Sequence, residues 1–292
     1  MTARLGTAGT GTLVERELIA AIALQLGSRR EAAWIVECGG TERAQALADR
    51  RSSGEPLQYV LGSWPFRSVE LDVDPNVLIP RPETEQVVEV ALSELERVLI
   101  GRDPDQGAGV VADLGTGSGA IALSLALEAG ARHPGLTVWA VDDSEGALVV
   151  AEANRARLRT MDPAAAARVE LRRGSWFGGL PAEVVGTFDL VVSNPPYVSE
   201  QEYDHLDPVI RDWEPRRALV SGPGVSGAPG MADIETVVTG AKRWLHRSGS
   251  LVVELAPSQA GEAVDVALRV GFGWAEVALD LAGRPRTLVA RR

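Results

Sequence analysis

The 292-residue chain holds a single cysteine, Cys38, and only three histidines, His133, His205 and His246. One cysteine excludes an intrachain disulfide and gives no sign of an oxidising compartment. In a helical region it reads as a small core residue. The histidines are scattered and form no metal-ligand spacing with that cysteine, so no metal site is expected. No run reaches the ~20 apolar residues of a membrane span, so no membrane partner is expected. The opening MTARLGTAGTGT lacks the apolar core of a secretory signal and reads as a disordered tail over 1–12. These absences together point to the cytoplasm. Basic residues are also scarce: 29 Lys and Arg stand against 40 Asp and Glu, a net charge of −11. A protein that grips a nucleic-acid backbone presents a basic field. The balance here disfavours direct contact with free DNA or RNA and suits a protein partner with a basic surface.

What is present begins with Asn194-Pro195-Pro196-Tyr197. It follows an apolar run, 188–192, that reads as a buried strand. Two prolines cannot continue a sheet, because neither has an N–H to donate. The chain must leave stiffly, holding Asn194 at the strand's carboxyl end, where open α/β sheets place their ligands. The Asn194 side-chain carbonyl and the rigid backbone carbonyl beside it are two acceptors, suited to a planar –NH₂ group. Tyr197 adds a flat ring to pack against a planar substrate. Alone, the motif reads equally well as a tight loop whose asparagine caps local backbone.

A second motif adds to it. The strand 110–112 runs into Asp113-Leu114-Gly115-Thr116-Gly117-Ser118-Gly119 and then a run of strong helix formers, 120–128. Strand, glycine turn and helix together let a ligand approach the backbone and meet a helix N-terminus. The G-x-G-x-G spacing is neither the dinucleotide fingerprint nor a P-loop. A second strand, 137–141, ends in Asp142, 23 residues after Gly119. An acid there can accept both hydroxyls of a ribose; equally, it can cap the helix that follows. Turn, acid and NPPY together describe a nucleoside-bearing cofactor beside an amide or amine. Without a phosphate-specific loop, the natural cofactor is S-adenosylmethionine.

Along the chain, 13–65 reads as a small helical domain, with Gly27, Gly39 and Gly40 as punctuation and Thr41 as a helix cap. Residues 66–82 read as a β-hairpin linker, on the alternation of Val69, Leu71 and Val73. From 83 to 292 a helix, a polar loop over 101–109 and then alternating strands and helices imply a doubly wound α/β sheet. Strands are expected at 110–113, 137–141, 169–172, 188–193, 251–254, 274–280 and 287–290. The last two are joined by Ala282-Gly283-Arg284-Pro285, too short for a crossover helix, so they must pair antiparallel. The glycine-rich stretch 221–230 reads as a flexible loop and a lid over the site.

With these residues in view, the chain resembles the bacterial glutamine-N5 methyltransferases that modify peptide chain release factors. The match runs from about Glu55 to Arg292. It rests on Glu55-Pro56-Leu57-Gln58-Tyr59, the phrase Val77-Leu78-Ile79-Pro80-Arg81-Pro82-Glu83-Thr84-Glu85, the glycine turn, Val141-Asp142, NPPY, Glu214-Pro215 and the closing 280–286. The resemblance implies an α/β, seven-strand class I methyltransferase sheet behind a small N-terminal helical domain. It implies Gly115, Thr116, Gly117, Ser118 and Gly119 at the methionine end of the cofactor, Asp142 at its ribose and Trp176 against its adenine. Asn194 would contact cofactor and substrate, and Pro195, Pro196 and Tyr197 would frame the glutamine of a GGQ loop. From its own position, Trp176 reads equally as a core aromatic. Two departures stand out: Ser175 replaces an acid usual before Trp176, and 221–230 replaces a short G-x-D-G loop. The alternatives are an adenine-N6 methyltransferase acting on nucleic acid, a nicotinamide-dependent oxidoreductase, and a non-catalytic cofactor-binding paralogue.

Overall fold

Helix entry and exit signals order the first part of the computed structural model, which describes residues 12–100 and 108–292. The tail expected up to residue 11 and most of the polar loop expected over 101–109 lie outside the described residues. Helix α1 (Leu13–Leu26) starts in a capping box, with Thr12 and Glu15 each satisfying the other's backbone N–H, and stops at Gly27 in the left-handed region. Helix α2 (Arg29–Ser52) is capped by Ser28 and kinks at Gly40, whose φ of 59° no helix contains. The kink is the interruption that Gly39 and Gly40 signalled. Helix α3 (Leu57–Leu61) closes this layer. Ile22, Ala32, Ile35, Ala44 and Val60 form its core, and Cys38 packs against it while donating to the Leu61 carbonyl at 3.4 Å.

A short hairpin follows, β1 (Ser63–Phe66) and β2 (Val69–Asp72), paired antiparallel from Ser63↔Asp72 to Phe66↔Val69. The alternation of Val69, Leu71 and Val73 marked its inward face, and all three are buried. The strands themselves end at Asp72, and 73–81 is irregular. The turn residue Arg67 sits at φ 48°, an uncommon conformation for a side chain with a Cβ. Its guanidinium holds Glu128 at 2.6 and 2.8 Å and Glu89 at 2.8 Å, while its N–H donates to Glu85. Those contacts offset the strain and fasten the hairpin to the helices beside it.

Helix α4 (Pro82–Ile100) opens with proline at its first position, whose missing N–H needs no partner there, and acids in its first turn. Then come β3 (Val110–Leu114), α5 (Ala120–Glu128), β4 (Thr137–Asp142), α6 (Glu145–Met161), α7 (Pro163–Ala167) and β5 (Val169–Arg173). After β6 (Phe188–Ser193) lie the short α8 (Glu200–Tyr203) and α9 (Pro208–Arg211). The chain finishes with α10 (Ala232–Trp244), β7 (Leu245–Glu254), α11 (Ala260–Arg269), β8 (Trp274–Leu279) and β9 (Pro285–Arg291).

The large sheet has seven strands in the order β5-β4-β3-β6-β7-β9-β8. The first five are parallel, and β9 pairs antiparallel with both β7 and β8. This is the doubly wound sheet with a terminal hairpin that the strand spacing required. Strand β7 starts well before the expected 251, because Leu245 already pairs with Phe188 across an irregularity in β6. Helix α7 was not expected: Asp162 caps it and Pro163 starts it within a run of alanines. One core lies on each face of the sheet, one around Val111, Leu123, Leu125 and Val138, the other around Leu114, Val191, Val237 and Leu251.

Removing the Arg67 guanidinium leaves Glu128 without its partner and the strained turn without its anchor. Arg67→Ala should lower stability by about 1–3 kcal/mol, the range for hydrogen bonds to partly buried charged groups. The urea unfolding midpoint checks this, and an unchanged midpoint would show that the turn needs no anchor.

Candidate functional site

Strand order reverses at β3, which pairs with β4 on one side and β6 on the other. That is where an open α/β sheet leaves a crevice beyond its carboxyl edge. The register makes the edge level. Leu114 lies opposite Val141 on β4 and Ser193 on β6, so the glycine turn after β3 stands between Asp142 and Asn194. A cavity of about 290 Å³ opens here.

The turn holds its shape by backbone bonds. Gly115 and Thr116 both donate to the Val141 carbonyl, and Gly119 donates to Thr116. Gly115 and Gly119 have φ of 73° and 84°, the left-handed region that glycine enters without steric cost. A Cβ on Gly115 would stand 3.5 Å from the Trp176 ring, so the indole lies directly over the turn. From below, the Asn154 amide donates to the Ser118 carbonyl and to the Asp72 carbonyl, tying the turn to the small hairpin.

Gly115, Thr116, Gly117 and Ser118 line the cavity; Gly119 instead starts α5 behind it. Asp142 lines it too, accepting from Gly117 N–H and Ser144 N–H, each at 2.9 Å. Burial raises its carboxyl above the ordinary range, opposed by those two bonds. Helix α6 is capped by Ser144, so Asp142 is not its N-cap. Trp176 is both a core aromatic and part of the cavity wall. It packs on the core beneath the second face of the sheet and also lines the cavity, at a strained φ of 48°. Ser175 lies beside it on the cavity wall.

Of NPPY, Asn194 and Pro196 line the cavity. Pro195 is buried. Tyr197 is half-buried against the core, its hydroxyl donating to Glu254 at 3.2 Å. The Asn194 amide donates to Thr84 Oγ1 at 3.2 Å, and the Thr84 hydroxyl donates to Glu254 Oε2 at 2.7 Å. Burial raises the Glu254 carboxyl, and burial beside that carboxylate raises the Tyr197 phenol. The stretch 221–230 contributes no residue to the cavity wall, which corrects its reading as a lid over the site. It is fastened instead: Val225 N–H donates to Glu235, and the Gln259 amide bridges the Tyr197 and Pro229 carbonyls.

Several residues of the site were not singled out in the sequence. Thr84 stood in the quoted phrase Pro80–Glu85 but read only as a helix start. Arg81, from the same phrase, pairs with buried Glu214, which also accepts Ile79 N–H at 3.0 Å. That pair ties Glu214 to the phrase Val77–Glu85 in the fold. Arg217, paired with Asp143, and Asp233 also line the cavity. Glu254 also ends an apolar strand, but its partners Thr84 and Tyr197 lie 170 and 57 positions away, which no local pattern links to it.

Asp113, the first residue of the turn motif, is fully buried beneath it. Its Oδ2 accepts from the Thr116 hydroxyl at 2.6 Å and from Ala122 N–H, while Oδ1 has no partner. Burial pushes its carboxyl up to about 7.

A family model described as "Methyltransferase small domain" matches residues 95–212. A release factor glutamine methyltransferase of Rhodopirellula baltica is 39% identical over 83% of this chain and 75% of its own length. One from Gloeobacter violaceus is 40% identical over 85% of this chain and 79% of its own. The chain belongs to the release factor glutamine methyltransferase family. Its fold is also that of a solved methyltransferase from Pyrococcus furiosus, with a TM-score of 0.50 at 16% identity over 76% of this chain and 88% of that one.

The state of Asp113 gives a pH test with a definite sign. The folded carboxyl keeps its proton up to about 7, whereas the ordinary value is 3.8. Between those values the folded state binds more protons than the unfolded one, so this residue's contribution to stability falls as pH rises and levels off above about 7. Asp113→Asn removes that titration. Urea unfolding from pH 4.5 to 8 should show wild type losing stability relative to the variant as pH rises; a constant difference would mean the carboxyl titrates normally.

Proposed function

We propose that this protein transfers a methyl group from S-adenosylmethionine to the side-chain amide nitrogen of a glutamine in a peptide chain release factor, at the GGQ loop of the class-I factors. The observation that carries the reading is the level placement of Asn194 beside the glycine turn in a member of this family. Release factors act in the cytoplasm, and that is where we place the enzyme. Among the described residues, no helix is long and apolar enough to cross a membrane.

The residues present fit the cofactor. The left-handed turn brings its backbone and the first residues of α5, Ala120 and Ile121, to the cavity wall, and a helix N-terminus is a setting for a carboxylate. The buried Asp113 carboxyl holds the turn from beneath through the Thr116 hydroxyl. Asp142 is a carboxylate at the cavity wall for the ribose hydroxyls, and the Trp176 ring beside Ser175 is a flat apolar wall for the adenine. When bound, S-adenosylmethionine supplies an electrophilic methyl group.

An amide nitrogen is a weak nucleophile, because its lone pair is delocalised into the carbonyl. The protein's task is therefore placement and charge stabilisation. Asn194 Oδ1 and the Pro195 carbonyl would accept the two N–H bonds of the glutamine, which directs the nitrogen lone pair outward. Pro196 and Tyr197 would frame the flat amide. As positive charge develops on nitrogen, both acceptors hold it more strongly, so they act most in the transition state. The proton is then lost to water.

Two variants and one substrate change test this reading. Asp142→Ala should weaken S-adenosylmethionine binding by about 2–3 kcal/mol in calorimetry, the upper range for hydrogen bonds to a charged group. Asn194→Ala should cut turnover by roughly 10²-fold or more, the scale for one lost preorganised group. Purified enzyme should place one methyl group on a class-I release factor and none on its Gln→Ala loop variant. Efficient methylation of adenine in oligonucleotides, with the release factor untouched, would replace the glutamine reading by the adenine-N6 one.

A further inference from the structure

Glu254 is the last residue of β7, and its carboxylate is buried at the floor of the site. The parallel register that sets Ser193 opposite Val253 brings Glu254 alongside Asn194. No Lys, Arg or His nitrogen among the described residues makes an ion pair with it. It is satisfied by two hydroxyls, Thr84 on Oε2 at 2.7 Å and Tyr197 on Oε1 at 3.2 Å. A buried carboxylate held only by neutral donors costs stability that an apolar residue of similar size would not. Both hydroxyls belong to residues at the proposed substrate slot, and Thr84 in turn holds Asn194.

The chemistry of this chain of bonds has one direction. In its ionised form Glu254 only accepts, so the single Thr84 hydroxyl proton is then committed to it. Toward Asn194 the same oxygen can then only accept. The Asn194 amide then turns its –NH₂ to Thr84, which leaves Oδ1 to accept from a group in the cavity that both residues line. The distances alone would fit either rotamer of the amide, and the carboxylate decides between them. Resting on the methyl-transfer reading above, we propose that Glu254, through Thr84, is the positioning residue that fixes Asn194 with its carbonyl oxygen toward the substrate nitrogen, so that the site selects an –NH₂ donor over a hydrogen-bond acceptor. Through its other oxygen, Glu254 holds the Tyr197 ring in place. Glu254 itself does not line the cavity.

The test separates orientation from packing. Thr84→Val keeps the shape of the side chain and removes the relay; Thr84→Ser keeps the hydroxyl. Glu254→Gln keeps the volume and puts an –NH₂ in place of one accepting oxygen. With release factor and S-adenosylmethionine saturating, Thr84→Val and Glu254→Gln should each lower kcat by roughly tenfold or more, a fraction of the loss expected when a preorganised group is removed outright. Thr84→Ser should stay within about threefold of wild type, a serine hydroxyl supplying the same donor and acceptor. The second readout needs no substrate: water exchange of the Asn194 side-chain amide protons by NMR, assigned against Asn194→Ala. Exchange should rise about tenfold in Thr84→Val, the equivalent of one net hydrogen bond, and stay near wild type in Thr84→Ser. Unchanged exchange in Thr84→Val, or equal damage from Val and Ser, would overturn the inference. A wild-type enzyme that leaves the release factor unmethylated would overturn the functional reading instead, and the exchange measurement would still decide the network.

Discussion

Everything at this site depends on the parallel pairing of β3 with both of its neighbours. Leu114 opposite Val141 and Ser193 brings three strand ends to one level. A slip by one residue would exchange the residues each strand presents to the two cores. The register is therefore locked by burial: Val111, Val138, Leu190 and Val192 are all fully enclosed. The Ser193 hydroxyl adds a cross-strand bond to the Leu114 carbonyl at 2.7 Å. Given that register, the glycine turn, Asp142 and Asn194 have nowhere else to meet.

Around this frame the protein buries acids and spends each on alignment. Asp113 holds the turn from beneath, Glu214 holds Arg81 and the Ile79 backbone, and Glu254 holds Thr84 and Tyr197. Glu94, farther away, gathers Ser250, Arg97 and Arg291 and so fastens α4 to the end of the sheet. A buried carboxylate has several lone-pair sites and accepts along fixed directions, so it can set the orientation of more than one neighbour. Asp113 and Glu254 make no direct ion pair among the described residues, and burial holds both carboxyls above the ordinary range. They are the costly members of the set, and both hold residues that line the cavity, Thr116 and Thr84.

The outer elements fit the same logic of fastening. Arg67 pins the small hairpin to α4 and α5, and Asn154 ties that hairpin to the glycine turn. Gln259 and Glu235 hold the glycine-rich stretch 221–230 against NPPY. A Cβ on Gly230 would reach within 2.2 Å of the Tyr197 carbonyl, so the glycines there serve close contact as well as turning. That is why a composition suggestive of a mobile lid belongs to a segment packed beside the site.

Local patterns determined a good part of this protein in advance. Alternation of apolar strands and helix formers dictated the doubly wound sheet, and the four-residue link 282–285 left its last pair only an antiparallel arrangement. Glycines in G-x-G-x-G, an acid ending a strand, and prolines after Asn194 each mark a backbone event within a few residues, so they are legible in order. The tertiary structure decided what depends on contacts between distant segments. Asp142 could cap a helix or face a ligand, and only the fold shows Ser144 as the cap. Trp176 could be core or wall, and only its place over Gly115 makes it both. Glu254 meets Thr84 across 170 positions of chain. No spacing rule spans such a distance, because the partners are brought together by sheet register and helix packing, not by the local geometry of the backbone.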